Sequence, residues 1–82
     1  MSGIQVKQCC ESLGMIIHRI PATDRNSYRA TFNQNPSHAP GNSVYWSESR
    51  YGGLLGLPRV IHGGIDTHAR TIHEIEYLIK GQ

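Results

Sequence analysis

A short amphipathic segment near the end of the chain constrains everything before it. In Ile72-His-Glu-Ile-Glu-Tyr-Leu-Ile-Lys80 the isoleucines at 72, 75 and 79 fall at i, i+3, i+7, and Leu78 widens that stripe. Thr71 and Glu74 have capping-box spacing, and Gly81 suits the position just past a helix end. Glu76 and Lys80 form an i,i+4 pair on the polar side. The spacing predicts a helix over about 71–80. Roughly ten residues is too short for an isolated helix to persist in water. The stripe must therefore dock, and a sheet built by the preceding chain is the natural partner.

Upstream, Ile4 to Leu13 places Val6, Cys9, Cys10 and Leu13 near one helical face, and Gly14 is a natural stop. This reads as a short helix, with a strand over 3–9 as the alternative. Met15-Ile-Ile-His-Arg-Ile20 is a β-branched run between Gly14 and Pro21, suited to a strand that is apolar on both faces. After the turn cluster 21–26, Ser27 to Asn33 alternates, with Tyr28, Ala30 and Phe32 on one side and Arg29 and Thr31 on the other. The two runs predict a hairpin over about 15–33.

Residues 34–43 hold His38 and two prolines and read as a loop with nothing to pack. Val44 to Ser47 suits a third strand and Arg59 to His62 a last one, after which Gly63-Gly64 turns the chain towards the C-terminal helix. Between them, Leu54, Leu55 and Leu57 must either seal the core or meet a partner. The order predicts a small α+β domain spanning residues 1–82: an antiparallel sheet of three to four strands with both helices on one face.

Size limits how such a domain is stabilised. A chain of 82 residues buries only about 60–65% of its unfolded surface, and its apolar fraction is 38%. Adjacent Cys9 and Cys10 cannot close a long loop against each other, and no zinc-type spacing is present. Self-association, most simply a homodimer, is the expected way to enlarge the core. No apolar run of membrane-spanning length occurs and the N-terminus lacks signal-peptide character. With two unpaired thiols, a soluble cytoplasmic protein is expected.

Catalytic patterns are missing. His62, His68 and His73 lack the i,i+4 spacing of a helical metal site, and no nucleophile elbow or phosphate loop occurs. We therefore expect neither a metal nor a cofactor nor an active site. Two groups remain. Val44 to Tyr51 contains Tyr45, Trp46, Arg50 and Tyr51, the residue types that dominate interface hot spots. On a strand Tyr45 and Trp46 face opposite ways, so one of them belongs to the core and Trp46 is the stronger candidate. The second group is Arg59, His62, Gly63, Gly64 and Arg70, with Asp66, Thr67 and His68 between them. Glycine backbone before a helix start could receive an anion there.

Net charge is only +2, although six of the eight cations are arginine, which favours recognition surfaces. The composition predicts a non-catalytic interaction protein, a small inhibitor or regulator that covers a partner protein's surface. A small anionic ligand or nucleotide binder is the alternative. A nucleic-acid binder using Arg19, Arg25 and Arg29 with Tyr28 for stacking comes last.

Overall fold

Ser2 starts the first helix by a device that the residue pattern around it permits. Its hydroxyl accepts from the Gln5 amide at 3.2 Å, while the Gln5 side chain takes the Ser2 N–H at 2.9 Å. In the computed structural model, which describes residues 1–34 and 41–81, this helix is α1 (Gly3–Ser12). Five strands follow, β1 (Ile16–Ile20), β2 (Asn26–Thr31), β3 (Asn42–Glu48), β4 (Arg59–His62) and β5 (Ile65–His68), and α2 (Ile72–Lys80) closes the order. The strands lie in sequence order in one antiparallel sheet. The expected α+β architecture is present, with one strand more than the three to four anticipated.

The extra strand comes from Gly63 and Gly64. Both have positive φ, 54° and 82°, and they join β4 to β5 as a two-residue hairpin turn pairing His62 with Ile65. They do not, as expected, turn the chain directly into the helix. Ile65-Asp-Thr-His is too polar to announce itself as a strand, and it is held by its neighbour on one edge only.

Cross-strand register assigns the faces, because directly paired residues share a side. Ala30, Val44 and Val60 form one row, and Tyr28 and Trp46 the next. This side meets Val6, Cys9 and Cys10 of α1 and Ile75 and Ile79 of α2 in a single buried cluster, with Ile72, Leu78 and Leu13 packed at its margin. The helix stripe read from the isoleucine spacing is thus the stripe that docks. Thr71 caps α2 by accepting from the Glu74 amide at 3.1 Å, but the Glu74 carboxylate takes the Arg70 N–H at 2.8 Å rather than reaching the cap itself. Gly81 ends the helix at φ 77°.

Two local expectations need correction. Phe32 lies beyond the end of β2 and is exposed, so it does not continue the inward row of Tyr28 and Ala30. Asn42 and Ser43 belong to β3: Ser43 is buried, and the Asn42 Oδ1 lies 2.6 Å from His62 Nδ1. Residues 35–40 of that expected loop, including His38, lie outside the described residues.

Cys9 and Cys10 are buried in the C-terminal half of α1. Burial pushes the Cys10 thiol up to about 12, and the neighbouring Cys9 and Glu11 add to the shift. Cys9 is raised first by burial and then by Glu76, against the pull of Lys80. Neither resembles a reactive thiolate. The sign of the linkage follows. Below pH 9 the Cys10 thiol keeps its proton whether the chain is folded or not. Between the ordinary value of 9.0 and about 12 the unfolded chain loses that proton and the folded one keeps it, so stability falls. Denaturant titrations from pH 8 to 11 should show a steeper alkaline loss in the parent than in Cys10→Ala. Parallel pH profiles for the two would contradict this origin.

Candidate interaction surface

The sheet's second face meets neither helix, and one row of it runs across all five strands. His18 pairs with Arg29, Arg29 with Tyr45, Tyr45 with Arg59, and Arg59 with His68. Tyr45 stands in the middle strand, with the Arg29 and Arg59 guanidinium carbons 6.0 and 5.9 Å from its ring centre. Both are within cation–π range. Arg59 also donates its Nε to Asp66 Oδ1 at 2.8 Å and its Nη2 to the other carboxylate oxygen. That bidentate contact, followed by burial acting the other way and the Arg59 charge, sets the Asp66 carboxyl below its ordinary range. Both partners are solvent-exposed, so the pair orients the guanidinium more than it stabilises the fold.

Beside this row lies a hollow of about 300 Å³. Ser27 and Ser47 form its floor, their hydroxyls 3.0 Å apart, and Ile20, Tyr45, Leu55 and Leu57 form its walls. Tyr28 and Trp46 also border it, through the strand backbone, because their side chains point to the core face. The leucines arrive by a specific route. The chain after β3 turns at Ser49–Gly53, and Leu55 then donates its N–H to the Ser47 carbonyl at 2.9 Å. Leu54 bridges to Glu48 and packs against the core, while Leu55 and Leu57 remain 46% and 48% exposed. Ile16 and Ile20 of β1 lie on the same face at 37% and 38%. One leucine therefore seals the core, and two are left for solvent or a partner.

The residues singled out by sequence separate accordingly. Tyr45 is on the open face. Trp46 is 5% exposed and stacks on Tyr28 at 5.5 Å between ring centres, so it anchors the core. Arg50 and Tyr51 sit in the turn after β3, with Tyr51 98% exposed. In the second group, Arg59 is engaged by Asp66 and His62 lies beside Asn42 on the core side of the sheet. Gly63 and Gly64 occupy the hairpin tip, the length of β5 away from Arg70. The α2 cap amide at Glu74 is already taken by Thr71.

The hairpin arginines are also divided. Arg19 pairs with Tyr28 and Arg29 with His18, which puts the two guanidiniums on opposite sides of the sheet, and Arg25 is bound to Asp24. The single basic face supposed for nucleic acid is not formed. Sequence reasoning missed Ile20 and Arg29 as surface neighbours of Tyr45. Only the β1–β2–β3 register, not any local pattern, brings them together. Among the described residues no cluster of three or more His, Cys, Asp or Glu side chains could hold a metal ion. Among them, too, no helix is long and apolar enough to cross a membrane. No family model matches the chain, and neither does any curated protein or solved structure.

Proposed function

We propose that the protein is a non-catalytic interaction protein, a small inhibitor or regulator that covers a surface of a partner protein with the sheet face around Tyr45. The observation that carries this reading is the apolar hollow walled by Ile20, Tyr45, Leu55 and Leu57, on a face that neither helix covers. A rigid aromatic held between two arginines beside a hollow has the composition of an interface hot spot. The hollow has room for apolar side chains of a partner, and Tyr45 stands at its wall to meet them. Arg50 and Tyr51 project at the end of the same strand and extend the surface. Self-association is part of the reading, because a small core gains from a second copy.

The test begins with affinity capture from the native host and identification of the captured protein by mass spectrometry. Tyr45→Ala, Leu57→Asp, Arg50→Ala and Tyr51→Ala are then measured against it. Each is expected to weaken binding at least about tenfold, the equivalent of about 1.4 kcal/mol at a hot spot. Arg50→Ala and Tyr51→Ala should leave the melting temperature within a few degrees, since exposed substitutions shift stability by less than about 0.5 kcal/mol. Four folded variants that bind as tightly as the parent would move the interface elsewhere, with the segment 59–70 next in line.

A further inference from the structure

Self-association, part of the reading above and the premise of this inference, needs an interface, and the register of β5 supplies one. β5 ends the sheet, so one of its edges pairs with β4 and the other faces away. The two-residue turn makes His62 and Ile65 a hydrogen-bonded pair, and alternation makes Val60 and Thr67 the next. Ala69 continues that parity by donating its N–H to the Pro58 carbonyl at 2.9 Å. The main-chain N–H and C=O groups of Asp66 and His68 therefore point to the free edge. Such an edge is a template for another strand unless it is blunted, and β5 carries neither proline nor lysine.

We propose that this edge pairs with β5 of a second copy, antiparallel, about a two-fold axis at Thr67. The two-fold sets Asp66 opposite His68 of the second copy, and His68 opposite its Asp66. Four main-chain hydrogen bonds close between those pairs, and Thr67 meets its own equivalent. The charge pattern favours a second copy over an unrelated strand: with acid and imidazole two residues apart, antiparallel pairing places each against its complement at both ends. A strand edge of four residues alone falls short of the roughly 1,000 Å² that a stable interface buries. The groove of about 420 Å³ along the same edge adds to it, lined by Thr67, His68, His73, Glu74, Tyr77 and Leu78, with Tyr77 62% exposed. The product is one continuous ten-stranded sheet. Because paired residues share a face, both Tyr45 surfaces then lie on the same side.

Light scattering and sedimentation over micromolar to near-millimolar concentrations test this directly. The parent is expected near 18 kDa, twice the 9.1 kDa of one chain. His68→Pro removes an outward N–H and leaves the bonds to β4 in place, so it should weaken the dimer at least tenfold while far-ultraviolet circular dichroism stays unchanged. A charge exchange keeps the test valid if that proline disturbs the strand. His68→Asp should run near 9 kDa alone, because each Asp66 then faces an aspartate of the second copy, and near 18 kDa when mixed with Asp66→Lys, whose lysine meets that aspartate. A parent that stays at 9 kDa would overturn self-association and this interface together. A parent dimer indifferent to folded His68→Pro, or to the charge exchange, would overturn the β5 interface and leave self-association and the Tyr45 reading standing.

Discussion

Ile75→Asp is expected to abolish the cooperative thermal transition, while His73→Ala melts within a few degrees of the parent. Ile75 is fully buried, at the point where α2 meets the sheet, and belongs to the cluster of Val6, Cys10, Val44 and Val60. Replacing it removes a large aliphatic side chain, which in cores costs about 2–5 kcal/mol. The new carboxyl would sit among apolar groups, adding a desolvation cost of several kcal/mol that is reduced only by its protonation. Domain stability scales as about 0.05–0.15 kcal/mol per residue, which for 82 residues is about 4–12 kcal/mol. The sum of the two costs reaches that margin. His73, two residues earlier, is exposed on the far side of the same helix. Circular dichroism melts of the two variants side by side decide the matter, and a reversed order would mean that α2 packs with a different phase.

The second large effect is expected at Trp46. Trp46→Ala should lower the melting temperature by at least about 12 °C. Truncating a buried aromatic costs about 3–5 kcal/mol, and each kcal/mol shifts a domain of this size by about 4–8 °C. The indole is 5% exposed and stacks on Tyr28 with ring planes 24° apart, so its loss opens a cavity beneath β2 and β3. Trp46→Phe should be far milder. The indole N–H has no hydrogen-bond partner among the described residues, and removing an unsatisfied buried donor offsets part of the lost area. Equal damage from Phe and Ala would show that the N–H has an acceptor and that its bond, not packing, is what matters. Tyr51→Ala, at a side chain 98% exposed, is the control expected to change little.

These two residues mark where sequence reading succeeds and where it stops. The phase of α2 is set by neighbours three and four positions apart, and the caps at Thr71 and Gly81 act within one turn, so a linear pattern contains all of that information. The same holds for the β1–β2 hairpin, whereas for α1 the pattern placed Val6, Cys9, Cys10 and Leu13 on the face that meets the core but left a strand over 3–9 open. Trp46 was harder. Alternation established that it and Tyr45 part company, but not which one goes inside, because that depends on the face the helices choose.

Choosing that face is a tertiary event. Ala30 and Val44 beside Val60 offer small and branched side chains against which two helices can close, whereas the opposite row presents Arg29, Tyr45 and Arg59, whose charges would lose their hydration under a helix. The hollow beside Tyr45 exists only because the chain after β3 returns to lay Leu55 along Ser47, a contact between segments with no shared periodicity. β5 likewise owes its existence to a partner strand rather than to its own composition, since Ile65-Asp-Thr-His has no apolar face to bury. The sequence by itself therefore determined α2 with its caps at Thr71 and Gly81, the first hairpin and the need for a sheet, all through interactions spanning a few residues. Tertiary structure decided the fifth strand, the burial of Trp46 and the surface left open around Tyr45, because each depends on registers that become defined only when distant strands meet.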